Sequence, residues 1–139
     1  MKLHTYLNFN GNCRAAFDFY EKHLGGKTQM MMTHAEAPAG PQSHPDWGSA
    51  ILHARMTIGD TELLASDVPP ERHQPMRSAY LSLTLDSAEE ADRIYGVLSE
   101  GGEVFMPIQE TFWAYRFAIL RDSFGTLWMI NADKPMPNA

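Results

Sequence analysis

The sequence predicts an α+β fold in which two βαβββ modules form a curved, partly open barrel around a cleft. Three observations predict it. A helical stretch that opens at Asn12 and closes at Gly25-Gly26 is matched by one that opens at Ser87 and closes at Gly101-Gly102. The nine residues GDTELLASD (59–67) are echoed by GTLWMINAD (125–133), with the same spacing from Gly to Asp. Each half then reads strand, helix and three strands. The chain's 139 residues suffice for one domain with a core but not for two ordinary ones. A single domain over 1–139 follows, with modules over 1–67 and 79–133.

Residues 3–9 alternate as a strand, with Leu3, Thr5, Leu7 and Phe9 on one face and His4, Tyr6 and Asn8 on the other. Asn12 is a suitable helix N-cap. Ala16, Phe17, Tyr20 and Leu24 make the apolar stripe of the first helix. Gly25-Gly26 supplies its left-handed stop. Lys27 to Thr33 reads as a strand, with methionines at 30–32. Residues 35–49 are rich in Pro and Gly and read as a long loop of the kind used as a lid. Ala50 to Thr57 and Glu62 to Ser66 read as a hairpin through Gly59-Asp60, and 67–78 as a linker.

The second module starts with a strand over Ala79 to Leu85. Ser87 and Glu90 have capping-box spacing. Ala91, Ile94, Tyr95 and Leu98 form a helical face. Glu103 to Gln109, Trp113 to Arg121 and Leu127 to Asn131 read as the last strands, and the residues after 132 as a loose tail.

Composition narrows the function. The chain has 11 basic and 17 acidic residues, a net charge of −6, and no Lys/Arg cluster, so neither nucleic acid nor an anionic membrane is an expected partner. Cys13 is the single cysteine, which excludes an intramolecular disulfide. The N-terminus lacks the apolar run of a signal peptide, and no stretch approaches the ~18 apolar residues of a membrane helix. A cytoplasmic protein is expected.

Four motifs stand out: YLNFNGNCRAAFDFY (6–20), ILHA (51–54), QETFWA (109–114) and DSFGTLWMIN (122–131). Through them the chain resembles the vicinal oxygen chelate superfamily of glyoxalases, bleomycin-resistance proteins and extradiol dioxygenases, and within it the PhnB-like branch. The resemblance spans about residues 3–132. It implies a glyoxalase-like domain, a homodimer, and a small-molecule cleft. In metal-dependent relatives it also implies a divalent ion held by His or Gln and Glu from the first and last strands of each unit, where the ion acts as a Lewis acid. A methyltransferase activity ascribed to some relatives is not expected, because no Gly-rich nucleotide-binding turn follows a strand.

Carried over residue by residue, the ligand positions fall on His4 or Thr5, Ala79 or Tyr80, Leu63 and Met129. His4 alone is a good ligand; a thioether suits a hard ion poorly. The expectation is no resident cofactor, with a divalent metal in a rearranged site through His4, His53 and Glu62 as the alternative.

The cleft candidates are Tyr6, Asn8, His53, Gln109, Trp113, Tyr115, Arg116 and Met129. His53 lies mid-strand in the run AILHARM. It reads as a general base or ligand-orienting donor, or as a histidine bonded between strands. Trp113, Tyr115 and Phe117 share a face if the strand is regular, as a ligand wall or as core or dimer interface. Arg116 reads as a carboxylate or phosphonate clamp or as a surface ion-pair residue. Gln109 and Asn8 need a partner if buried.

Other polar residues carry plainer readings. Glu62 is expected to be solvated after its turn. Asp122 and Ser123 are expected to serve the turn before Gly125. Cys13 is expected to be a buried thiol, or one activated by the helix N-terminus. His34, His44 and His73 are expected in solvent. The function that follows is a metal-free module binding a small organic molecule. A metal-dependent lyase, isomerase or dioxygenase-type enzyme is the alternative, and an interaction protein with a vestigial site is a third reading.

Overall fold

Leu7 and Phe9 alternate with exposed Tyr6 and Asn8, and this period of two makes β1 (Thr5–Phe9) a strand with one buried face. The computed structural model describes residues 1–38 and 47–135. Residues 39–46 of the long loop, with His44, and the tail 136–139 lie outside the described residues. Leu3 precedes the strand and is exposed, so the predicted alternation starts two residues late.

After β1 come α1 (Cys13–Leu24), β2 (Lys27–Thr33), β3 (Ile51–Ile58) and β4 (Thr61–Asp67). The second half repeats the order with β5 (Leu81–Thr84), α2 (Ala88–Ser99), β6 (Glu103–Gln109), β7 (Ala114–Arg121) and β8 (Leu127–Asp133). The chain divides into two compact units, Met1–Gln74 and Pro75–Ala139, each holding one βαβββ set. The first sheet has the order β1-β4-β3-β2 and the second β5-β8-β7-β6. In both, the first strand runs parallel to the last and the other pairs are antiparallel. Neither sheet is closed. This is the α+β architecture the duplicated pattern predicts.

Each sheet has a face toward its own helix and a far face. On the helix side of the first lie Leu7, Phe9, Ala54, Met56, Leu63 and Ala65, against Cys13, Ala16, Phe17 and Tyr20 of α1. On the helix side of the second lie Ala118, Leu120, Trp128 and Ile130, against Ala91, Ile94 and Leu98 of α2. Spacings of three, four and seven residues line up both helical stripes.

The two glycine pairs have divided roles. Gly25 closes α1 with φ of 71°, and Gly101 turns the chain after α2 with φ of 73°. The second glycine of each pair is a packing device. A Cβ on Gly26 would lie 2.5 Å from Met56 Sδ, and one on Gly102 would lie 2.2 Å from the Arg121 carbonyl oxygen.

The helix starts differ from the expectation. Asn12 makes no side-chain cap of α1. The buried Asp67 takes that role from the end of β4: its Oδ1 accepts from Cys13 N at 3.0 Å and its Oδ2 from Ile51 N at 2.9 Å. No local rule finds a cap 54 residues away. Ser87 Oγ does cap α2, accepting from Glu90 N at 3.1 Å, but the Glu90 carboxylate turns to Arg93 rather than completing the box.

Among the described residues, no helix is long and apolar enough to cross a membrane.

Candidate functional site

The far face of the first sheet collects the polar groups. Asn8 is level with Ser66, and Met32 with His53. Ala54 faces Ala65, so His53 comes level with Ser66 and the row across the sheet is Asn8, Ser66, His53, Met32. The next row, from the registers Tyr6–Leu64, Leu64–Arg55 and Arg55–Met30, is Tyr6, Leu64, Arg55, Met30.

Tyr6 and His53 sit on strands separated by β4, about 10 Å apart at the usual strand spacing. The tyrosine side chain spans that gap. Its hydroxyl lies 3.1 Å from His53 Nδ1, and the rings stack at 26° with centroids 5.8 Å apart. The hydroxyl donates if the imidazole carries its proton on Nε2 and accepts if it carries it on Nδ1. In the first case Nε2 remains a donor; in the second it is an acceptor. Asn8 Oδ1 accepts from Ser66 Oγ at 3.2 Å, which fixes the amide with its NH2 still available. Tyr6 keeps 47% of its surface exposed and Met30 36%, so this face is accessible.

The fallback metal residues divide between two places. His4 Nε2 lies 3.7 Å from Glu62 Oε2, an ion pair if the imidazole is protonated. His53 is with Tyr6 instead. Among the described residues no three His, Cys, Asp or Glu side chains converge. A zinc site takes at least three protein donors, so these residues do not fit one.

The Gly-to-Asp echo also misaligns the faces. Leu63 and Met129 each follow their turn glycine by four residues, yet Leu63 is 3% exposed on the helix side. Met129 is half-buried on the far face between Ser82 and Ile119. The β3–β4 turn closes with Ile58 opposite Thr61, whereas Arg121 opposite Leu127 leaves a longer β7–β8 loop. The residue that matches Met129 by ladder and face is Leu64.

The far face of the second sheet carries the rows Thr84, Asn131, Phe117, Gln109 and Ser82, Met129, Ile119, Met106. Trp113 packs edge-on against Phe117 at 5.2 Å. Tyr115 does not join them. The register shifts between Ala114 and Arg116, so the expected alternation breaks there. Tyr115 is 47% exposed, with Lys134 Nζ 5.8 Å from its ring centroid. Arg116 follows the regular alternation with Ala118 and Leu120 onto the helix side, where its Nε donates to Asp92 Oδ1 of α2 at 3.0 Å. Asn131 Nδ2 donates to Asp133 Oδ1, and the buried Asn131 Oδ1 has no hydrogen-bond partner.

Three plainer expectations meet a clear outcome. Burial, then the Asp67 carboxylate, pushes the Cys13 thiol up to about 12, so its place at a helix start does not activate it. His34 is buried, edge-on to Trp47, rather than in solvent. Asp122 is a hub: its carboxylate accepts from Phe124 N, Thr126 N and Trp128 Nε1, each at 2.9 Å.

Sequence reasoning missed Ser66 and Arg55. Once His53 faces away from the helix, Arg55 must do so too, two residues on. A separate cavity of about 280 Å³ opens beside Asn10, Trp47, Ser49 and Pro70, away from the predicted site residues.

Comparison with known proteins agrees with this architecture. Residues 2–130 match the Glyoxalase/Bleomycin resistance protein/Dioxygenase superfamily. Protein YjdN of Escherichia coli (strain K12) is 33% identical, with 99% of both chains covered. The crystal structure of protein PA1353 from Pseudomonas aeruginosa superposes with a TM-score of 0.87 at 40% identity, over 97% of this chain and 99% of that one. A PhnB protein from Bacillus cereus shares the fold, with a TM-score of 0.80 at 22% identity, over 95% of this chain and 99% of that one. Motifs, sheet order and similarity along nearly the whole length agree: this chain belongs to the glyoxalase/bleomycin resistance protein/dioxygenase superfamily.

Proposed function

We propose that this chain binds a small organic molecule and that the far face of the first sheet is where it does so, without a metal. The observation that carries this reading is the Tyr6–His53 pair, which bridges over β4 on an accessible face. Two stacked rings offer a flat ligand a surface, and their polar atoms offer it direction. Asn8 and Ser66 extend the polar row. Gln109, Trp113 and Met129 belong to the second unit and play a secondary part in this reading. A cytoplasmic homodimer is its proposed setting.

The test is a thermal-shift and NMR screen of small aromatic compounds, run with and without EDTA. Binding that survives EDTA and weakens about tenfold in Tyr6→Phe and His53→Ala is the expected outcome, the size of one or two lost hydrogen bonds. Binding that vanishes in EDTA, or is indifferent to both substitutions, overturns the reading.

The alternative, a divalent-metal lyase, isomerase or dioxygenase-type enzyme, has one observation in its favour, the His4–Glu62 pair. Elemental analysis of protein purified without added ions tests it. Near-stoichiometric metal that is lost in Glu62→Gln supports it. No metal after supplementation with Mn, Ni, Zn or Fe overturns it.

A further inference from the structure

We propose that Arg55 anchors a terminal oxyanion of the ligand, so that the molecule bound on the far face is an organic acid rather than a neutral compound. The inference deepens the binding reading above and rests on it. Arg55 occupies β3, an interior strand, on the same face as His53 and in the same row as Tyr6. Its level neighbours are Leu64 and Met30, and its same-face neighbours along the strand are His53 and Thr57. None is acidic.

The nearby carboxylate, Glu62, lies 3.7 Å from His4 Nε2 and pairs with it when that imidazole is protonated. Among the described residues three of the four other strand and helix arginines are committed, and the fourth, Arg14, is exposed on α1. Arg93 pairs with Glu90, Arg116 with Asp92, and Arg121 donates to the Gly125 and Met76 carbonyls. Among the described residues Arg55 has no such bond or ion pair. A guanidinium whose level neighbours are neutral, with Glu62 one row along, is notable on a chain of net charge −6.

The chemistry around it points the same way. A guanidinium presents five N–H donors in a flat fork that matches carboxylate or phosphate oxygens two at a time. The Tyr6–His53 pair adds one donor on the same face, His53 Nε2–H in one tautomer and the Tyr6 hydroxyl in the other, while the Asn8 and Ser66 oxygens are already bonded to each other. Leu64 and Met30 flank the fork with apolar surface for the body of the ligand, and the thioether of Met30 can adapt to its shape. A donor-rich centre with apolar margins suits an aromatic or aliphatic acid.

The experiment is a matched-pair titration by protein-observed NMR. The anionic probes are benzoate, planar, and phenyl phosphate, tetrahedral; the neutral probe is benzamide. Wild type, Arg55→Met, Arg55→Lys and Arg116→Met are compared. The expected result is that wild type binds an anionic probe about tenfold or more tightly than benzamide. Arg55→Met removes that preference and leaves benzamide unchanged, Arg55→Lys restores part of it, and Arg116→Met has no effect. Whichever anion is preferred tells a carboxylate from a phosphate ligand. If benzamide and both anions bind wild type equally, or if Arg55→Met retains the preference, the anchor is overturned while the binding face stands. If no probe shifts the resonances of Tyr6, His53 or Arg55, the binding face and the anchor fall together.

Discussion

The far faces of the two sheets share a topology and differ in chemistry. Row for row, His53 of the first sheet corresponds to Phe117 of the second, Arg55 to Ile119, Tyr6 to Ser82 and Leu64 to Met129. The helix sides keep the same plan of small and aliphatic residues against a helical stripe. Duplication therefore preserved what folds the sheet, and the divergence lies on the face that folding leaves free. Two buried aspartates do similar work from different places. Asp67 ties β4 to the starts of α1 and β3, and Asp122 ties the β7–β8 loop to Trp128.

The largest effect tests those two hubs against each other. Asp122→Ala strands three donors and is expected to cost about 3–5 kcal/mol, at about 1–3 kcal/mol for each buried group left unpaired with partial relaxation. Asp67→Ala strands two and is expected to cost about 2–4 kcal/mol on the same basis. Urea denaturation of both variants measures the difference, and a smaller loss for Asp122→Ala breaks the parallel.

The glycine pairs give the next contrast. Gly102→Ala drives a Cβ against the Arg121 backbone, which cannot swing aside, whereas Gly26→Ala meets the flexible end of Met56. Costs of about 3 kcal/mol for Gly102→Ala and about 1 kcal/mol for Gly26→Ala are expected from overpacking. Equal midpoints in urea contradict the distinction.

The smallest effect separates the units by pH. The Cys13 thiol sits at about 12 in the folded chain against an ordinary 9.0. Its folded value is raised, so its contribution is fully present below pH 9 and is lost as pH rises toward 12, because the unfolded thiol ionises first. The second unit has no cysteine. Cys13→Ala is therefore expected to cost about 1 kcal/mol at pH 7 through lost packing, with its gap to wild type narrowing above pH 9. A gap that stays constant to pH 11 in calorimetry runs against the assignment. At pH 8 the thiol also reacts with a thiol reagent only as fast as the chain opens.

The sequence made the strand and helix order legible because period and punctuation are local. Gly25 and Gly101 mark stops that depend on one residue's φ, and the stripe from Ala16 to Tyr20 needs only helical spacing. Tyr6, Asn8 and His53 stand out as candidates for the same reason: each interrupts an apolar alternation. What stayed hidden depends on register. One irregularity at Ala114–Arg116 takes Tyr115 out of line with Trp113 and Phe117. Turn lengths that differ between the hairpins displace Leu63 from Met129. Asn12 had the right side chain for a cap, and a carboxylate from the far end of the unit holds that position instead. The charge on Arg55 was visible in the sequence, but the want of a partner for it is a property of neighbours on three other strands.

Asp67 also sets an order of events. The first unit's helix start and third strand wait on a residue near the unit's own end, 54 positions beyond Cys13 and 16 beyond Ile51. During synthesis, which proceeds from the N-terminus, α1 and β3 are made before their common tether exists. β1 likewise gains its sheet partner only when β4 arrives. The unit therefore locks from its last strand backward: a chain halted before residue 61 leaves β1 unpaired, and one halted before residue 67 still leaves α1 without its carboxylate cap, however complete its local helix signals are.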